Sequence, residues 1–523
     1  MNQRRYLLKG TFLLTGAGLL TRLSGFFYKI FLSRTIGAGQ IGLFQLTTPV
    51  FALCTALCIG GIQTAVSRFT AEYYAKNDRR SAYTLLAVSL ILSVSASCLC
   101  AAALLVFAPQ IASHFLLEPL CSPLLQIGAA SLPFCAVHAC ISGYFLGRKN
   151  VSVPAYSQLL EQFARIGSVL LFYCLLLRSG QNMNAAVMAL GQIAGEICSS
   201  LFCVFRLLCG DSEKTRQNSG SSCHAIPFSG QIRKLLSAAA PLGMNRTLLC
   251  VLQGMEAALL PQMLRQFGLN AHEAISVYGT LTGMTMPLLL FPTAVTGAVG
   301  TLLLPAVSEA NTRNQDHQIS SAANASFQAS VFLGTFFSAA FFLFGRNAGI
   351  VLFHNELSGV FLQRLSLLCP FLYLNTTIVS ILHGLGRSTA VFLFNIAGFL
   401  IRIGAVVFCV AESGIDAYLA AAILSQMLTS CCYLMLLYRD KMLSVSVPAT
   451  FLRSFVLAIT GIFSVTAFFY VMTGQFFPSD TSFAVLLTAI CIFIAVFFFA
   501  AWILAVPPDM KKNIRLKIQR KDT

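Results

Sequence analysis

Glu161 and Arg165 lie four residues apart in the stretch GYFLGRKNVSVPAYSQLLEQFARIG, Gly143–Gly167. That spacing puts an acid and a base on one helix face and lets them pair. Gln158 and Gln162 belong to the same helix. Ionised groups inside an apolar segment are costly in lipid, so they face a cavity or the protein interior. The group reads either as a cavity wall with a proton or cation site at Glu161, or as an internal ion pair that fixes helix packing. Arg22 and Lys29 are seven apart and so share a face, with Gly18 and Gly25 nearby to admit another backbone. Two cations so placed suit an anionic substrate such as a phosphate or pyrophosphate. The alternative is that Lys29 and Arg34 reach out to the membrane interface and leave only Arg22 deep.

Other intramembrane polar residues extend this set. Gln192 and Glu196 share a face, and Glu196 is placed to partner a cation of the first or fifth span, or to act as packing glue. Asn245, Arg246, Gln253 and Glu256 occupy one segment that begins at Pro241, and Asn395 and Arg402 are again seven apart on a later one. Arg165 and Arg402 are candidates to face each other between the two halves. Pro287, Pro292 and Pro305 fall with Gly297 and Gly300 in one uncharged span. Such density implies a broken or bending helix, with Pro287 and Pro292 as a hinge for alternating access or as a static kink. His138 and His383 read as lone, packed histidines, and no metal-ligand pattern is present.

These residues sit in a chain of 523 residues that is 57% hydrophobic and only 10% charged, with a mean hydropathy of +0.77. Repeated apolar runs of about 20 residues mark an all-α polytopic membrane protein. The net charge of +17 is therefore topogenic and no nucleic-acid footprint. The 18 cysteines are scattered through apolar runs and point to packing rather than to disulfides or metal. Arg4-Arg5 resembles a twin-arginine signal, but no small-residue cleavage site follows, so the first helix reads as uncleaved. There is no phosphate-binding GxxxxGK[ST] loop and no covalent catalyst, so no enzyme and no cofactor are expected. Coupling to a Na+ or H+ gradient or to the membrane potential stays open.

The elements that must hold the polar set are about fourteen apolar spans. They fall near 10–33, 42–66, 83–108, 122–146, 154–178, 184–208, 234–261, 276–306, 323–345, 361–384, 389–411, 416–438, 450–473 and 482–506. Lys and Arg concentrate at the termini and in alternate connections, from Arg68, Lys76, Arg79 and Arg80 to Lys214, Lys441 and the tail Lys511–Lys521. That bias places both termini in the cytoplasm. The tail suits anionic membrane lipids, or is simply solvated. Leu146-Gly147-Arg148 reappears as Leu385-Gly386-Arg387, and Arg165-Ile166-Gly167 as Arg402-Ile403-Gly404. Ala65-Val66-Ser67-Arg68 has its own echo in Ala306-Val307-Ser308-Glu309, at an offset near that of the other two. Three echoes in the same order argue for two pseudo-symmetric six-helix lobes. The expected division is an N-terminal lobe at 1–209, a cytoplasmic linker at 210–231, a C-terminal lobe at 232–440, and a final helix pair with its tail at 441–523.

Four stretches carry a resemblance over essentially the whole chain: TRLSGFFYKIFLSRTIGAGQIGLFQL (Thr21–Leu46), GGIQTAVSRFTAEYY (Gly60–Tyr74), the Gly143–Gly167 stretch, and PLLLFPTAVTGAVGTLLLPAVSEA (Pro287–Ala310). Through them the sequence resembles the polysaccharide and oligosaccharide flippases of the MOP (MATE-like) exporter superfamily. The likeness is to the stage V sporulation protein B-like branch, which is related to the lipid II flippases. The resemblance implies two lobes around a central cavity, alternating access, and a prenyl-diphosphate-linked saccharide of peptidoglycan or another cell-envelope polysaccharide as cargo. It implies a multi-pass protein of the bacterial cytoplasmic membrane that works as a monomer. Arg22 matches an arginine of the related flippases, whereas their cavity arginines on the second and eighth spans have no counterpart here. The anion-binding load then falls on Arg22, Lys29, Arg165, Arg246 and Arg402, with Gln158, Glu161, Glu196, Asn245, Glu256 and Asn395 as ion-coupling or cavity groups. A cation-coupled multidrug exporter of the same superfamily would favour an acidic cavity. A membrane-embedded saccharide polymerase or ligase would need a large outer loop with catalytic residues.

Overall fold

Lipid offers no hydrogen bonds to a bare backbone, so a chain of this composition must satisfy its N–H and C=O groups within helices. A computed structural model describes residues 2–211, 228–473 and 483–505, and among them the chain is helical with no β-strand. In order the helices are α1 (Asn2–Ile59), α2 (Ile62–Ala75), α3 (Arg79–Gln110), α4 (Cys121–Ala129), α5 (Ser131–Gly147), α6 (Ser152–Arg178), α7 (Ala185–Asp211), α8 (Phe228–Gln266) and α9 (Ala271–Gly279). They continue as α10 (Met286–Leu290), α11 (Thr293–Thr312), α12 (Asp316–Phe353), α13 (Glu356–Arg364), α14 (Cys369–Gly384), α15 (Ser388–Ser413), α16 (Ile415–Arg439), α17 (Val447–Thr473) and α18 (Phe483–Ala505). The expected linker at 212–227 and the basic tail Lys511–Lys521 lie outside the described residues.

Among the described residues, 11 helices are long and apolar enough to cross a membrane, or 12 if α4 and α5, bent by 43°, count as one span. The protein is a multi-pass membrane protein. The count differs from the fourteen expected for local reasons. The first two expected spans run together in α1, whose direction changes at Gly37 (φ 81, ψ 168). A residue with a Cβ is strained at such a φ, and glycine is not. At the other end, the final expected span is α18 (Phe483–Ala505), a 23-residue apolar helix that stands outside that count of 11. The proline-rich segment is broken, as its composition implies. A π-helical turn at Thr280–Thr285 separates α9 from α10, and a turn at 291–292 separates α10 from α11.

The chain forms two compact units, Met1–Ala294 with Phe392–Ala421, and Val295–Val391 with Ala422–Thr523. In the first, Val66 of α2, Leu85 of α3, Tyr144 of α5 and Leu235 of α8 are fully buried in one core. Small residues bring backbones together there, the main route to tight packing when lipid is as apolar as leucine. A Cβ on Gly279 of α9 would stand 2.1 Å from the Ala38 carbonyl oxygen and 2.6 Å from the Gly42 nitrogen of α1. This crossing fixes the broken segment against the helix that carries Arg22 and Lys29. In the second unit, Phe336 of α12 meets Phe493 and Phe497 of α18 with ring centroids 5.3 and 5.0 Å apart. Those stacked and edge-to-face rings tie α18 to α12.

Candidate functional site

The first unit holds a cavity of about 630 Å³ walled by α1, α6, α7 and the broken segment from Gly283 to Thr293. Its cations are Arg22, Lys29 and Arg165, and Tyr28, Gln162 and Gln192 add neutral polar groups. Pro287 also lines it, whereas Pro292 is buried at the break beside it. Arg22 Nη1 donates to Thr293 Oγ1 at 3.4 Å, a long bond that leaves most of the guanidinium's donors available. Gly25 lies against Gln162, 3.3 Å from a built Cβ to Nε2, so a larger residue there would push the amide away. Three cations with amide and phenol donors in one cavity are the chemistry that suits a multiply charged anion, through charge-assisted hydrogen bonds.

Behind this wall, Arg165 Nη2 donates to Glu161 Oε1 within α6, the pairing that their spacing predicts. Glu196 of α7 does not meet a cation of α1 or α6 as its first partner. Its Oε2 lies 3.6 Å from His138 Nδ1 of α5 and is buried without a hydrogen-bond donor. His138 is held on both sides, with Nε2 3.0 Å from Ser157 Oγ and Nδ1 3.3 Å from Ser199 Oγ. One ring nitrogen of His138 and one carboxylate oxygen each from Glu161 and Glu196 lie within 4.8 Å of one another.

Arg402 of α15 is taken up by Glu256 of α8, with Nε 2.8 Å and Nη2 3.2 Å from its two oxygens, rather than facing Arg165. Tyr418 of α16 donates to the same carboxylate at 2.9 Å. The remaining candidates lie elsewhere. Gln158 and Arg246 are exposed on their helices, and Asn395 is half-buried. Asn245 lines a second, largely apolar cavity of about 670 Å³ with Gly60 and Gly61. Thus α1 and α6 bring cations to the polar cavity, while the arginine of α15 is occupied by its own acid.

Sequence reasoning missed Tyr418 as a partner of Glu256 and His138 as a neighbour of two acids. Each contact joins residues far apart in the chain, 162 apart for Tyr418 and Glu256. No local spacing announces such pairs. The intramembrane placement of His138 was the one available signal.

Residues 7–311 match a family described as "Polysaccharide biosynthesis protein". Among curated proteins, the chain is 28% identical over 399 residues to "Stage V sporulation protein B" of Bacillus subtilis (strain 168), covering 76% of each chain. It is 23% identical over 344 residues to "Lipid II flippase MurJ" of the same organism, covering 62% of each. Among solved structures, the inward closed conformation of the lipid II flippase MurJ superposes with a TM-score of 0.70 at 13% identity. That superposition covers 94% of this chain and 98% of the other, and at such low identity it shows the fold. The family expected from the Thr21–Leu46, Gly60–Tyr74, Gly143–Gly167 and Pro287–Ala310 stretches is borne out.

Proposed function

The chain belongs to the polysaccharide biosynthesis protein family, and from that premise we propose that it is a flippase. It carries a prenyl-diphosphate-linked saccharide of the cell envelope from the inner to the outer leaflet of the bacterial cytoplasmic membrane. It does so as a transporter rather than an enzyme, by alternating access of two lobes, as a monomer with both termini in the cytoplasm. The observation that supports this reading best is the cavity that gathers Arg22, Lys29 and Arg165. A diphosphate offers several oxygens to such donors, and arginine reads them bidentately. A multidrug exporter for cationic compounds would be repelled by the same three charges.

In this scheme the cavity binds the diphosphate and saccharide while the prenyl chain stays in lipid. Translocation requires no bond to break. The turn at 291–292, next to the unit boundary at Ala294, supports Pro292 and Pro287 as the flexing point. The test is leaflet translocation of a labelled prenyl-diphosphate saccharide in proteoliposomes, wild type against Arg22→Ala. Translocation by wild type and its loss in the variant are expected. A properly inserted wild-type protein that moves no such lipid but drives efflux of cationic dyes would sink the reading.

A further inference from the structure

His138, Glu161 and Glu196 come from three helices, α5, α6 and α7, and none of the three lines the cavity. Arg165 connects them to it, because it both lines the cavity and pairs with Glu161. With His138 neutral, the two carboxylates and one guanidinium leave a net negative charge among packed helices, where isolated charge is costly. Glu196 Oε2 makes the imbalance concrete, since it is buried and receives no hydrogen bond. The Glu196 side chain as a whole is only 12% exposed. A single proton, on Glu196 or on His138 3.6 Å away, would cancel the charge and supply the missing donor.

We propose that the His138–Glu161–Glu196 cluster holds one exchangeable proton, and that Arg165 couples its occupancy to the anion in the cavity. The inference rests on the diphosphate reading of that cavity for the coupling, though the proton site itself does not. When a diphosphate draws Arg165 toward the cavity, Glu161 loses its counter-charge and stands beside Glu196. Two carboxylates this close do not both stay ionised, so the cluster takes up a proton from solution. The relation is reciprocal, so a protonated cluster releases Arg165 and tightens anion binding.

The charged and titratable groups around the cluster agree with this assignment. Glu161 interacts electrostatically with Glu196, Arg165 and His138. Cys135 on α5 feels both acids and, from α8, Arg246. Tyr28 on α1 feels Arg165. Of these cations Arg165 alone forms an ion pair within the cluster, so its movement changes the charge balance most.

Infrared difference spectra of the purified full-length protein, between acidic and neutral buffer, read the proton without any cargo. A protonated-carboxyl band in wild type that is lost in Glu196→Gln or Glu161→Gln, or an imidazolium band that is lost in His138→Gln, is expected. Comparable yield and a single gel-filtration peak show that each variant has folded, and the three substitutions keep the test decisive if one does not. Identical spectra in wild type and every folded variant would overturn the proposal. The affinity for inorganic pyrophosphate, measured against pH in wild type and Glu196→Gln, then reads the coupling. The probe's own titration is common to both proteins and cancels in their difference. Linkage to one proton predicts that wild-type binding tightens, relative to the variant, by up to about tenfold per pH unit as pH falls. A difference that follows Na+ at constant pH would overturn the proton in favour of a metal cation. The carboxyl band without pyrophosphate binding would uphold the proton site and count against the diphosphate reading instead.

Discussion

The sequence Arg-Ile-Gly occurs at 165–167 and again at 402–404, and the two arginines end in unlike company. Arg402 reaches across to another helix, grips both oxygens of Glu256, and shares that acid with Tyr418. Its side chain is 19% exposed and that of Glu256 10%. Arg165 pairs with an acid of its own helix, is 28% exposed, borders the polar cavity, and leaves one oxygen of a second acid nearby without a donor. One motif therefore serves two ends. Where the acid lies on another helix and both its oxygens are taken up, the arginine is a clamp. Where the acid lies on the same helix and the charges do not balance, the arginine is the one proposed above to exchange partners.

The largest effect should come from the clamp. Removing one partner of a buried ion pair leaves the other charge uncompensated, at about 3–5 kcal/mol. Arg402→Ala should therefore lower the thermal stability of the solubilised protein markedly, as should Glu256→Gln. Arg165→Ala should cost less, because its pair crosslinks no helices and the acids it leaves can take up a proton. Equal destabilisation by Arg165→Ala and Arg402→Ala in one thermal-unfolding series would erase the distinction.

Next in size is the effect on cargo. If Arg165 exchanges Glu161 for a diphosphate, its loss removes a charge-assisted bond worth about 1.5–3 kcal/mol, roughly ten- to a hundredfold in pyrophosphate affinity. Arg22→Ala should weaken binding to a similar degree, since both side chains line one cavity. Arg402→Lys, which keeps the charge of the clamp, should leave pyrophosphate affinity near the wild-type value. A loss from Arg402→Lys as large as that from Arg165→Ala would show that the α15 arginine also serves the anion.

How far the chain announced this contrast can be traced residue by residue. The helical membrane class followed from apolar runs, and the break at Pro292 from proline density, because both are local properties of the backbone in lipid. The Glu161–Arg165 pair was legible for the same reason, an i,i+4 spacing on one helix. Arg22 and Lys29 were legible as a shared face seven residues apart, and both line the cavity. What could not be read was partnership across helices. Arg402 and Arg165 look alike in sequence, and only packing gives one Glu256 with Tyr418 and the other a cavity. Glu196 failed in the same way, since nothing local ties it to His138 on α5. Spacing specifies which residues share a helix face, and tertiary packing decides what that face meets.

The smallest effect tests the clamp most finely. Tyr418→Phe removes one hydroxyl donor from Glu256 and keeps the ring in place. Arg402 still satisfies both oxygens, so no buried charge is stranded and the loss should be near that of a single hydrogen bond, about 1 kcal/mol. Combined with Arg402→Ala, however, the same change should cost more than it does alone, because among the described residues Tyr418 is then the donor left to the Glu256 carboxylate. That non-additivity is the signature of groups sharing one acceptor. A double-mutant cycle in thermal unfolding measures it directly, and strictly additive losses would mean that the two donors act on Glu256 independently.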